Sequence, residues 1–248
     1  MMAGYDQAAG LRRMFGGQGR SLAVLTCGAG AARWLAAQLR ARAGAGQRLL
    51  VLEECSAFGN LADHLGTAPR FDLQQVIEGH VPLVQALVRD DALMLLPVAR
   101  AARLVGRERV LGRRVVDALR TLQFEADETI VHADAAAVSP LLRAAGGCLL
   151  VAESRVESIT AAYAALKKLK GIADIGSIAL TLSGQTTFES RELAANFQAL
   201  AWRQLGIEVR CVDHVGQALP SGAGGFVDRL RDLACGLAAS PATNAAWA

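Results

Sequence analysis

A chain of 248 residues is long enough for one large α/β domain with a substantial core. With 52% hydrophobic and 20% charged residues it reads as globular rather than disordered, and a net charge of +3 is too small to argue for nucleic acid. No apolar run approaches the ~18 residues of a membrane span, and MMAGYDQAAGLRRMF is too polar for a signal peptide, so a cytoplasmic location is expected.

In chain order, YDQAAGLRRMF (5–15) reads as a short helix. Asp6 is a plausible N-cap, Ala8, Leu11 and Phe15 form a narrow apolar face, and Arg12 and Arg13 lie toward the cation-favouring C-terminus. GGQGR then forms a flexible leash. Residue chemistry leaves two readings of this segment: it docks on a partner, or it folds back or frays. Residues 1–20 are therefore set apart from a single domain over 21–240, with a loose tail at 241–248.

SLAVLT (21–26) is a buried strand candidate, CGAGAAR a glycine loop, WLAAQLRARAG a helix and QRLLVLEE (47–54) the next strand, a βαβ unit. SAFGNLADHLG leads into a helix, GTAPRF turns, and DLQQVIEGHVPLVQALV reads as helical with a central glycine. DALMLLPVA (91–99), ETIVHADAAA (128–137), the apolar end of LLRAAGGCLLVAE, IGSIALTLSG (175–184) and IEVRCVDHVG (207–216) are further strands. Helices are expected between them: RERVLGRRVVDALRTLQFEA, striped by Val110, Val115, Leu119 and Leu122; SRVESITAAYAALKKLKG, with Ile159, Tyr163 and Leu166 on one face; and TTFESRELAANFQALAWRQLG. The alternation predicts an α/β fold: a mostly parallel sheet of about seven strands with helices on both faces. FVDRLRDLACGLAAS closes the chain, with Phe226, Leu230, Leu233 and Leu237 on one face. It fits packing on the domain, or peripheral membrane contact through 225–238, which its mixed charges disfavour.

Cys27, Cys55, Cys148, Cys211 and Cys235 are isolated and odd in number, and His64, His80, His132 and His214 show no metal-ligand spacing. Neither a disulfide framework nor a metal site is expected.

Three stretches, DQAAGLRRMF, LGTAPRFDLQQVIEG and ESITAAYAALKKLK, carry a resemblance. The last follows an S-I-T-x-A-Y-x-x-x-K pattern at Ser158, Ile159, Thr160, Ala162, Tyr163 and Lys167. In them the chain resembles the MinD/ParA-type P-loop ATPases, and more narrowly the flagellar-number regulators of FlhG/FleN type, over residues 5–216. The resemblance implies a regulator of flagellar number or placement that stimulates the FlhF-type GTPase. Asp6, Gln7, Leu11, Arg12 and Phe15 would be the contacts, Leu11 and Phe15 as apolar anchors. It also implies ATP-dependent dimerisation, membrane contact and restraint of a flagellar transcription activator.

The chain departs from that pattern wherever nucleotide chemistry is done. The family's phosphate loop, K-G-G-x-G-K-[ST], cradles phosphates with backbone N–H groups, neutralises them with lysines and binds Mg²⁺ through its hydroxyl. Here Cys27-Gly28-Ala29-Gly30-Ala31-Ala32-Arg33-Trp34 has neither lysine nor hydroxyl. Gly28, Gly30 and Arg33 are left as a vestigial nucleotide loop, or Gly28 and Gly30 simply serve a tight turn. Of the acidic pair D-x-D, Glu53 fills the first place and Cys55 the second; His132 falls at the Walker B aspartate, with Asp134 two residues on, and Thr181 near the adenine-reading asparagine. The expectation is a pseudo-ATPase with no cofactor and no catalytic residues. Two alternatives stay open: a divergent ATPase using ATP with Mg²⁺ through Arg33, Glu53 and Asp134, and a pseudo-ATPase that modulates an intact MinD-like paralogue.

Overall fold

The computed structural model describes residues 20–56, 60–105, 107–134, 139–171, 176–184, 188–218 and 225–235. The expected N-terminal helix with its five contact residues, its leash as far as Gly19 and the tail lie outside them; Arg20, expected to end the leash, instead opens the first strand, in register with Glu128.

Eight strands form one sheet: β1 (Arg20–Cys27), β2 (Leu49–Glu53), β3 (Val88–Asp90), β4 (Leu93–Pro97), β5 (Glu128–Asp134), β6 (Cys148–Glu153), β7 (Ile178–Ser183) and β8 (Val209–Cys211). Their order is β3-β4-β2-β5-β1-β6-β7-β8, parallel throughout except for the β3–β4 pair. The longer helices are α1 (Ala29–Gly44), α2 (Arg109–Gln123), α3 (Val156–Lys170), α4 (Phe188–Leu205) and α5 (Phe226–Cys235).

Side chains alternate across a strand, so each central strand feeds two cores. Leu22, Val24, Val51 and Ile130 pack under Leu35 and Leu39 of α1. On the other face, Leu50, Leu52 and Val131 meet α2 and α5, while Leu25, Leu150 and Leu180 meet α3 and α4. Because both faces are covered, the strands read as continuous apolar runs rather than alternating ones.

The structure corrects the expected helix over 72–88. A capping box between Asp72 and Gln75 starts a helix at Leu73–Ile77, which ends before Gly79 at φ 82°; Pro82 starts another at Leu83–Ala86. Val88–Asp90 then turns back through Asp91, at φ 47°, to pair antiparallel with β4. This is the strand missing from the expected seven. A three-residue edge strand has no room to show a period. The last expected strand shrinks to Val209–Cys211, and Val215–Ala218 is helical. In α2 the expected stripe is turned slightly: Val110 is exposed, while Gly112, Val115, Val116, Leu119 and Leu122 face the core.

α5 spends its apolar face on the domain. Phe226, Val227, Leu230 and Ala234 are buried against α2 and the helix Pro140–Ala144. Arg229 ties the helix to the sheet: its Nε donates to the Ala144 carbonyl at 2.7 Å and its Nη2 to Ser21 Oγ at 3.0 Å.

Candidate functional site

Open parallel sheets present their binding crevice at the carboxyl ends of the strands, where connections leave in opposite directions. Here β1 lies between β5 and β6; the chain leaves β1 toward β2 on one side and β5 toward β6 on the other. The glycine loop and Glu53, Cys55, His132 and Glu153 all sit along this crest.

In the loop, Gly28 has φ 114° and ψ 158°, a conformation open to glycine, and it caps α1 without a side chain. The free N–H groups of a helix start attract an anion. The chain supplies its own. The Glu153 carboxylate, from the end of β6, accepts from the Gly30 N–H at 2.9 Å. A Cβ at position 28 would lie 2.6 Å from Glu153 Oε1, and one at position 30 would lie 2.9 Å away. Both glycines thus make room for a carboxylate, which gives the tight-turn reading a concrete reason. Ser158, from the ESITAAY stretch, holds Glu153 in place: its Oγ accepts from the Glu153 N–H at 2.8 Å and donates to the Cys27 carbonyl. Glu153 escaped the sequence reading, although an acidic residue ending a buried strand beside a glycine loop was the available signal.

Arg33 is exposed. With Gly30, Trp34, Glu153, Arg155 and Gly184 it lines a cavity of about 520 Å³. Trp34 and Gly184 also border a second cavity of about 290 Å³, lined by Thr181, Ser190, Gln198 and Asp213. Thr181 is therefore on the Arg33 side of the crest, away from Glu53.

The other departures do converge. Glu53 on β2 pairs in register with His132 on β5, so their side chains share a face. Both are buried, at 2% and 1% exposure. His132 Nδ1 lies 2.7 Å from Glu53 Oε1, and its Nε2 lies 3.0 Å from Thr26 Oγ1 on β1. Glu53 also accepts the Cys55 N–H on Oε1 and the Leu61 N–H on Oε2, each at 2.9 Å. These bonds satisfy a buried carboxylate and hold the chain that leaves β2. Beside it, burial pushes the Glu54 carboxyl up to about 7, against the hydrogen bond that Ser139 Oγ donates to it. Asp134 ends β5 opposite Thr26 in register.

These residues do not fit Mg²⁺-ATP bound as a phosphate loop binds it. The loop offers no lysine and no hydroxyl, and the helix start is already matched by a carboxylate that would repel phosphate.

No family profile matches the sequence, and no curated protein matches it. Solved structures do. The MinC:MinD cell division complex of Aquifex aeolicus superposes with TM-score 0.54 at 18% identity, covering 86% of this chain and 85% of that one. The fold is that of the MinD/ParA-type ATPases. Cobyrinic acid a,c-diamide synthase from Mycobacterium smegmatis matches with TM-score 0.54 at 20% identity, over 88% of this chain and 93% of its own. A ParA family ATPase from Chlorobium tepidum matches at 0.50 and 16%, over 87% and 98%. The synthase has also been solved with an ATP analogue and magnesium. The first βα unit lies where the sequence put it, except that α1 begins at Ala29, so Gly30 to Arg33, expected in the glycine loop, are helical. Among the described residues, no helix is long and apolar enough to cross a membrane.

Proposed function

We propose that the chain is a non-catalytic MinD-like regulator of bacterial flagellar number or placement. It docks on a FlhF-type GTPase and stimulates it through the N-terminal DQAAGLRRMF helix. The observation that carries the non-catalytic part is the Glu153 carboxylate at the start of α1, bonded to Gly30 where a phosphate would need the N–H groups. A phosphoryl-transfer transition state is stabilised chiefly by lysine, Mg²⁺ and backbone N–H groups. The loop lacks the lysine, and one of its N–H groups is committed. The docking part rests on the resemblance in residues 6–15, with Leu11 and Phe15 as anchors and Asp6, Gln7 and Arg12 positioning the helix.

Two measurements test the reading. Equilibrium titration with Mg²⁺-ATP is expected to show no saturable binding. Stimulation of a FlhF-type GTPase is expected from the intact chain and is lost in Leu11→Ala/Phe15→Ala; unchanged stimulation in that variant refutes the docking.

A divergent ATPase is the second reading, and the cavity that Arg33 lines beside the loop favours it. Its signature is ATP affinity that disappears in Arg33→Ala. A third reading, a mixed dimer with an intact MinD-like paralogue, predicts a change in that paralogue's turnover on mixing.

A further inference from the structure

The crest holds a second group of side chains whose chemistry the scaffold reading leaves unused. Glu53, Cys55 and His132 each bring one ligand atom to within 4.8 Å of the others, the only such cluster of this kind among the described residues. From this we infer that Glu53, Cys55 and His132 form a binding site for a zinc-class divalent cation.

The donor set decides the class. One thiolate, one imidazole nitrogen and one carboxylate form the mixed S, N, O set of a borderline cation, and their two negative charges balance M²⁺. Mg²⁺ and Ca²⁺ take oxygen ligands and gain little from a thiolate. Bond lengths of about 2.3 Å to sulfur and 2.0–2.2 Å to nitrogen and oxygen place tetrahedral ligand atoms roughly 3.3–3.7 Å apart. The present cluster lies within side-chain adjustment of that geometry: His132 Nδ1 and Glu53 Oε1 open from 2.7 Å, and all three ligand atoms already lie within 4.8 Å of one another.

The surroundings are those of a ligand site. Nδ1 faces the cluster, while Nε2 is held by Thr26 Oγ1 on the neighbouring strand, an outer partner that orients the ring. Glu53 Oε2 is fixed by the Leu61 N–H, so the carboxylate is aimed before any ion arrives. Glu53 and His132 are buried, whereas Cys55 is partly exposed at the crest, giving an entry path and leaving a fourth position for water. On binding, the thiol proton and the proton shared by Nδ1 and Glu53 Oε1 leave to solvent, and the imidazole presents its Nδ1 lone pair with its other proton on Nε2, toward Thr26. The linear spacing of the cysteines and histidines concealed the site, because strand register rather than a sequence motif joins residue 53 to residue 132.

The test is titration of the reduced full-length chain with Co²⁺ alone. One equivalent per chain is expected, with a near-ultraviolet thiolate-to-cobalt band that Zn²⁺ displaces and that is absent in Cys55→Ser. A native chain without the band, or a band retained in Cys55→Ser, overturns the site. A second readout needs no variant. Zn²⁺ is expected to slow alkylation of Cys55 by at least about tenfold, while exposed Cys211 continues to react. Equal alkylation of Cys55 with and without Zn²⁺ also overturns it.

Discussion

Two buried carboxylates, Glu128 and Glu53, lie at opposite ends of neighbouring strands and are neutralised in different ways. Glu128, 2% exposed, meets two permanent cations: Arg20 Nη2 at 2.5 Å, and Arg42. Glu53, equally buried, meets an imidazole and two backbone N–H groups, with a thiol close by. Guanidinium does not give up its proton, so the Glu128 end is a permanent clasp between β5, β1 and α1. Imidazole and thiol do exchange protons, so in the proposed site a metal ion takes the place of the protons that Glu53 and its neighbours hold. The amino ends of the strands serve stability; the carboxyl ends hold the convertible chemistry.

Substitutions can break or sharpen this contrast. Glu128→Ala leaves Arg42, largely buried, without its carboxylate partner and with only the Gln47 amide, and is expected to cost about 3–5 kcal/mol in urea unfolding. Glu53→Gln keeps the shape but turns one acceptor into a donor facing an N–H or the imidazole, about 1–3 kcal/mol. If Glu53→Gln proved the more costly of the two, the contrast would fail. Gly28→Ala, placed at φ 114° against Glu153, is expected to cost about 1–3 kcal/mol by thermal or chemical unfolding. Glu153→Gln removes the charge at the α1 start at about 1 kcal/mol. It is also expected to make the protein's melting temperature sensitive to inorganic phosphate, which the unaltered chain is not; an equal phosphate response in both would mean that Glu153 does not occupy an anion site. Arg33→Ala, on an exposed residue, is expected to stay within about 0.5 kcal/mol. That variant therefore separates the ATPase reading from a folding defect.

Most of the architecture was legible because burial on both faces writes parallel strands as apolar runs between amphipathic helices. SLAVLT and QRLLVLEE, with the helix between them, appear as β1, α1 and β2. The region 72–88 was misread because helical composition concealed the breaks at Gly79 and Pro82 and the short return strand. At the site, the lack of lysine and hydroxyl was plain from residue types, whereas only the family resemblance put Glu53, Cys55 and His132 at positions of shared chemistry. The role of Glu153 was not visible: its partner, Gly30, lies 123 residues away.

By itself the sequence determined seven of the eight strands and the longer helices between them, the two-sided core and the absence of a phosphate-loop lysine. These follow from residue type and period, which are local. Only the tertiary structure decided that Glu153 fills the start of α1, that Thr181 stands apart on the Arg33 side, and that Glu53, Cys55 and His132 share one pocket. Parallel pairing joins strands distant in the chain, and its register, not sequence spacing, chooses which side chains meet.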